Sequence, residues 1–318
     1  MKLFNFRDRE ILRLAIPNIL SNLSVPLIGI ADTALMGRMD SPSYLGAIAL
    51  GGVLFNFIYW GFSFLRMSTV GLTAQAFGKN DKKESAQIFS QALTVALVGA
   101  VLVLLLQMPI ANLGFKLLKG GEEVKTIARE YFFIRIWAAP ATLALYAIQG
   151  WFLGMQNAKY PLYLTLLTNL CNVGFNIWFV FGMEMQAGGV ALGTVCAQYI
   201  GLVFALFLLW KIYRATISDY FKTISFDGLG KYFSVSRDIF IRTICLLITF
   251  AIFTSESAGK GDVILAANAI LLQLFYVMSY GVDGFAFAAE SITGKFIGSK
   301  SKSDLVVYLK RIFSWGMV

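Results

Sequence analysis

Apolar residues run in long unbroken stretches separated by short polar turns, and they do not alternate. A transmembrane helix needs roughly 20 mostly apolar residues. On that measure the pattern predicts spans near residues 12–36, 44–77, 85–106, 131–152, 161–181, 188–213, 233–253 and 263–287, with a ninth starting near 305. Strands of a membrane barrel would show alternating segments of ~10 residues. Open sheets leave edge N–H and C=O groups unpaired in lipid. The expected fold class is therefore an all-α polytopic membrane protein of about 8–9 transmembrane helices.

Composition agrees. The 318 residues are 58% hydrophobic and only 14% charged, against about 25% charged in an ordinary soluble domain. The net charge of +9 does not point to nucleic acid, because the basic residues lie between the apolar runs as the positive-inside rule expects. Most fall in the segments that are cytoplasmic if the N-terminus is: Arg7, Arg9 and Arg13; Lys79, Lys82 and Lys83; Lys159; Lys211 and Arg214; Lys295, Lys300 and Lys302. That orientation, and a multi-pass location in the cell (inner or plasma) membrane, is the expectation. The N-terminal MKLFNFRDREILR is too charged for a signal peptide.

The only long connection, 212–235, is polar and follows an even number of spans. It divides the chain into a six-helix lobe (1–213), a cytoplasmic linker (214–232) and a partial second lobe (233–318). A shift of 220 residues supports this division. Leu45, Ala47, Ala49, Leu54, Phe55, Gly61 and Gly78 then meet Leu265, Ala267, Ala269, Leu274, Phe275, Gly281 and Gly298. With six spans between copies, the repeat is parallel, about an axis along the membrane normal. A complete second lobe would extend beyond residue 318, so the sequence reads as a partial transporter.

Among candidate residues, Asp32 stands out as an acid inside the first apolar run, which also holds Pro17 and Pro26. Such an acid is costly in lipid and faces protein or water. Burial disfavours its charged form, so an acid alternating between wet and dry surroundings would take up and release a proton. The chain has no histidine, which leaves carboxylates as proton carriers. Asn169, Asn172 and Asn176 share one helix face, either for interhelical hydrogen bonds or to line a cavity. Thr194 could join them or bond its own backbone. Gly189 and Gly193, four apart, read as close helix packing. Asp283 and Glu290, seven apart, could line a central cavity or bond backbone at a lobe interface. Gln149, Tyr146 and Met278, with Trp60, Phe55, Phe57 and Gln273, could line a soft cavity suited to varied ligands. Snorkelling accounts for Arg66 and Arg135, with a partner expected for the deeper Arg66. Asp238 and Arg242 are expected to pair, and Glu256 to lie in an outer loop. Cys171, Cys196 and Cys245 read as buried free thiols, and no metal site or cofactor is expected.

Several stretches taken together resemble the multidrug and toxic compound extrusion (MATE) transporters, in particular the DinF-like branch. They include IADTALMGRM, FLRMSTVGLTAQAFGKND, PATLALYAIQGWFLGMQNAKYP, NLCNVGFNIWFVFG, GGVALGTVCAQY and DGFAFAAESITGKFIG. The resemblance implies a MATE-like two-lobe helical bundle with the first six-helix lobe complete and the second partial. It implies an N-lobe ion site at Asp32, Asn172, Asn176 and Thr194, with Asn169, Gln149, Tyr146, Met278, Asp283 and Glu290 as substrate-cavity candidates. At position 176 the family pattern has a second Asp. Its replacement by Asn favours H+ over Na+, which wants several hard oxygen ligands. The expected function is multidrug efflux: a monomer in the lipid bilayer, not an enzyme, exchanging small hydrophobic or cationic organic substrates for protons. A flippase for lipid-linked or amphiphilic substrates is the alternative.

Overall fold

The computed structural model describes residues 5–37, 41–217 and 229–317; the side chains of 28–33, and of a few other helical residues, lie outside the description. It is built of helices: α1 (Phe6–Met36), α2 (Pro42–Gly61), α3 (Phe64–Gly78), α4 (Lys82–Leu105), α5 (Gln107–Leu117), α6 (Glu122–Arg135), α7 (Ala139–Gly154), α8 (Lys159–Ile177), α9 (Gln186–Ile217), α10 (Leu229–Gly259), α11 (Asp262–Gly298) and α12 (Lys302–Gly316). Six spans among the described residues are long and apolar enough to cross a membrane, and three are composite. The second runs through α2 and α3 with a break at Phe62–Ser63; the fourth runs through α6, a 3₁₀ turn at Ile136–Ala138, and α7; the fifth is α8 with a π turn at Trp178–Gly182. Helices α1 and α10, also expected as spans, are 31 residues each. The expected linker 214–232 is shorter than its sequence suggested: residues 214–217 end α9, residues 229–232 begin α10, and residues 218–228 lie outside the described residues.

Two expected boundaries shift. The segment after Pro109, expected as loop, forms α5 with that proline in its first turn, where the missing N–H costs nothing. The fourth span begins at Glu122, not near 131. Glu122 and Glu123 occupy the first turn of α6, where acids suit the helix dipole, so charge that resembles loop is helix. Glu256, expected in a loop, is in the last turn of α10. Asp238 pairs with its neighbour Arg237 at 3.1 Å rather than with Arg242, whose guanidinium instead meets the Met67 sulfur at 3.2 Å.

The 220-residue shift reappears in backbone detail. In the α3–α4 turn, the N–H groups of Lys79, Asn80 and Asp81 donate to the carbonyls of Gln75, Phe77 and Ala76. In the α11–α12 turn, Ser299, Lys300 and Ser301 donate to Lys295, Ile297 and Phe296, the same bonds 220 residues on. Asn80 and Lys300 both adopt positive φ, 57° and 55°. The two helix ends also meet each other reciprocally. A Cβ on Gly78 would overlap the carbonyl of Lys295, one on Gly298 would overlap that of Gln75, and one on Gly294 would sit 2.6 Å from the Cβ of Ala74. Each contact maps onto its mate under the shift, as a two-fold axis between α3 and α11 requires.

At the same end, charged groups fasten α1 to α11 and α12. Asp8, 8% exposed, accepts two bonds from Arg311 Nη1 at 2.7 Å and one from Trp315 Nε1 at 3.3 Å. Glu10 accepts from Lys295 Nζ at 2.6 Å and from the Tyr308 hydroxyl. The Arg311 bonds hold the Asp8 carboxyl below the usual carboxylate range, against the opposing effect of burial. For Glu10, burial pushes the pKa up, but the Lys295 and Tyr308 bonds together outweigh it and the net shift is downward.

Candidate functional site

The site is built around α8, which lies between α1 and α9. Close approach to α9 depends on glycine: a Cβ at Gly193 would overlap the Asn176 side-chain oxygen, one at Gly201 would overlap the Thr168 hydroxyl, and one at Gly189 would crowd Phe179. Gly189 and Gly193 therefore serve helix packing, as small residues do between membrane helices. The packing brings the asparagine face of α8 against Thr194. Asn176 Nδ2 donates to Asn172 Oδ1 at 3.3 Å, Asn172 Nδ2 donates to Thr194 Oγ1 at 3.1 Å, and Thr194 Oγ1 donates to the Val190 carbonyl at 3.0 Å. Asn176 is 1% exposed. Buried polar groups must find such partners or cost about 1–3 kcal/mol. Asn169 turns the other way, donating to Ser24 Oγ on α1 at 2.9 Å.

Asn169, Asn172 and Thr194 face a cavity of about 400 Å³. Its walls also include Gln149, Tyr146, Thr168 and Arg135. A second cavity of about 280 Å³ adjoins it, sharing Tyr59, Tyr146, Gln149 and Thr165, and adds Asn18, Asn22, Trp60 and Arg66. Phe287 of α11 also lines it, and the Arg66 guanidinium lies 3.8 Å from the centre of that ring. Asn22 Nδ2 donates to the Tyr280 carbonyl at 3.3 Å, fixing α1 to α11 beside this cavity.

The expected site residues thus separate into groups. Asn172, Asn176 and Thr194 form one hydrogen-bonded chain, and Asn169, Gln149 and Tyr146 line the same cavity. Asp283 and Glu290 flank Phe287 on α11, half-buried and within electrostatic reach of Arg66, but neither lines either cavity as expected. Met278 is 74% exposed and lines neither cavity. Asp32 falls within the backbone of α1, but its side chain lies outside the described residues.

Sequence reasoning missed Arg135 as a cavity residue. It ends α6 rather than snorkelling from the start of a span; its Nη1 donates to the Tyr131 hydroxyl at 2.6 Å, and its guanidinium lies 4.6 Å from the Phe55 ring centre. Phe55 itself is fully buried in the core with Phe132 and Tyr131, and Phe57 and Gln273 are exposed. The signal available for Arg135 was its i, i+4 spacing from Tyr131.

Comparison with known proteins follows the same lines. The MatE family profile matches residues 17–177, which hold α8 and most of both cavities. DNA damage-inducible protein F of Escherichia coli K12 is 38% identical over 94% of this chain and 66% of its own length. The probable multidrug resistance protein NorM of Rhizobium meliloti is 24% identical over 92% of this chain and 63% of its own. The chain thus spans about two thirds of the length of these relatives. A crystal structure of a MATE protein in a straight conformation superposes with a TM-score of 0.87 at 18% identity, covering 98% of this chain and 70% of that one.

Proposed function

Because this chain belongs to the MatE family of membrane transporters, we propose that it exports hydrophobic and cationic organic compounds by proton-coupled antiport, with Asp32 as the proton carrier. The observation that carries this reading is the hydrogen-bonded chain Asn176–Asn172–Thr194 beside a polar cavity in the first lobe. Contacts between α1 and α8 supply the register. Lys159 shares a groove with Arg9 and Arg13, Pro161 and Thr165 share a cavity with Asn18 and Asn22, and Asn169 bonds Ser24. The two helices therefore run parallel. Eight residues beyond Ser24, α1 reaches Asp32; seven beyond Asn169, α8 reaches Asn176. At 1.5 Å per residue both lie about 10–12 Å further along, a register that supports the proposal of Asp32 at the level of the asparagine chain.

With amides at 172 and 176, Asp32 is the sole carboxylate proposed for the cluster, which suits one proton better than a sodium ion needing several hard, charged ligands. Substrate would occupy the two adjoining cavities, with Gln149 and Tyr146 reaching both. The helices through α9 act as the first lobe, the cytoplasmic linker follows α9 and precedes α10, and α10–α12 act as part of the second lobe. The N-terminus lies in the cytoplasm. The lobes exchange access to the two sides by rocking about the α3–α11 axis.

The test is flux of a fluorescent organic cation in proteoliposomes of the full-length protein under an imposed pH gradient. Asp32→Asn is expected to abolish gradient-driven flux, and Thr194→Val to reduce it. Undiminished flux in Asp32→Asn would remove that acid from the mechanism.

A further inference from the structure

A groove of about 580 Å³ opens between the starts of α1 and α8, outside both cavities already described. Its lining is Arg9, Leu12, Arg13, Ile16, Pro17 and Lys159. Three cations thus stand over an apolar floor, and Arg9, Arg13 and Lys159 are all exposed. No side-chain hydrogen bond or ion pair joins any of the three to another described residue. Nearby acids are engaged elsewhere: Asp8 is held by Arg311 and Trp315, and Glu10 by Lys295 and Tyr308, although Glu10 remains within the field of Arg13. The α1 terminus is therefore sorted by charge. Its carboxylates are neutralised by α11 and α12, Arg7 pairs with Asp304 at 3.2 Å, and Arg9 and Arg13 are left over.

The apolar floor continues away from the cations. Ile16, Leu20, Leu23 and Leu27 recur at helical spacing along α1 with 49%, 51%, 37% and 65% exposure, on the face that Arg9 and Arg13 begin. A ligand that fits has a multiply charged anionic head and a long apolar body running parallel to the helix. A free phosphate would leave the apolar strip uncovered; a phospholipid covers both parts. Basic pockets beside membrane helices attract anionic headgroups at about 1 kcal/mol per cation, or about fivefold in affinity.

We infer that this groove is a binding site for an anionic phospholipid, with Arg9, Arg13 and Lys159 on the phosphates and the acyl chains along Ile16–Leu27. The inference rests on α1 and α8 spanning the membrane, but not on which side the N-terminus faces or on any transport activity.

The test is retention of cardiolipin by the purified full chain, measured by native mass spectrometry after equilibration with mixed micelles of non-ionic detergent, cardiolipin and phosphatidylcholine. Both lipids reach both ends of the protein, so orientation does not enter. Cardiolipin should be retained preferentially. Arg9→Gln with Arg13→Gln and Lys159→Gln should cut retention about a hundredfold, whereas Lys82→Gln with Lys83→Gln and Lys300→Gln, equal in charge change but outside the groove, should leave it within about threefold of the parent. Arg9→Lys with Arg13→Lys, which keeps the charges, should retain most of the binding and controls for folding. The site is overturned if cardiolipin shows no preference over phosphatidylcholine, if both triple variants lose lipid equally, or if millimolar pyrophosphate displaces the lipid, which would mark a soluble-anion site.

Discussion

Adding a single methyl group to the α3–α11 crossing should separate the two helices on which the proposed rocking turns. Gly78 and Gly298 face backbone carbonyls of Lys295 and Gln75, which cannot rotate away, and a Cβ at Gly294 would lie 2.6 Å from that of Ala74. Carbon atoms pack at about 3.5–4.0 Å, so the helices must open by about 1 Å. A gap of that size forfeits about a quarter to a half of each lost contact, and overpacking in a filled interior costs about 1–3 kcal/mol. Gly78→Ala should therefore lower the unfolding midpoint in detergent by about 2–6 °C, at about 2 °C per kcal/mol. Gly298→Ala should do the same. Because both substitutions demand one displacement, the double variant should cost little more than either single, a coupling that independent sites would not show. Gly71→Ala, on the same helix but with nothing within 4 Å of the added atom, should instead stabilise by up to about 1 kcal/mol through helix propensity. If Gly78→Ala proves as benign as Gly71→Ala, or if the two costs simply add, the reciprocal crossing is not the joint described above.

Further expectations concern the clamp and the asparagine chain. Removing Arg311 with Arg311→Leu leaves Asp8 without its main partner, although Trp315 still donates to it, and should destabilise by about 1–3 kcal/mol, read as a lower unfolding midpoint at pH 7 that Asp8→Leu in the same chain partly restores. The depressed pKa values of Asp8 and Glu10 carry a sign: their stabilisation is fully present above the ordinary carboxylate values of 3.8 and 4.5 and is lost as pH falls through the lower folded values. Unfolding midpoints measured from pH 7 down to pH 3 should therefore hold steady to about pH 5 and then drop, and the drop should shrink in Asp8→Asn. Gly193→Ala should push α9 off Asn176 and cost about 1–3 kcal/mol, with a matching loss of gradient-driven flux. Thr194→Val removes the acceptor of the Asn172 amide, and should cost about 1 kcal/mol in stability but more in flux than a stability loss of that size explains.

What the sequence revealed depended on how local the physics was. Asn169, Asn172 and Asn176 were legible as one face because helix period alone places them there, and the 220-residue shift was legible because both copies kept Gly78 and Gly298 ahead of a Lys-rich turn. Which way each asparagine turns was not legible: Asn169 bonds α1 and Asn172 bonds α9, and neither choice has a local signature. The break at Phe62–Ser63 lacks a proline to announce it. Arg135 was hidden by a boundary error, since the charged first turns of α6 resemble loop until the chain folds. Asp8 and Arg311 are separated by 303 positions, so only the packing of α12 on α1 brings them together.

The central claim is that one carboxylate on α1 exchanges a proton for substrate, and proton release on binding tests it most directly. Substrate added to the full-length protein in weakly buffered detergent at a pH where Asp32 is protonated should release about one proton per substrate bound, by linkage. Asp32→Asn should bind substrate and release none. Equal release from the parent and from Asp32→Asn would place the exchanging proton on another group and contradict the account.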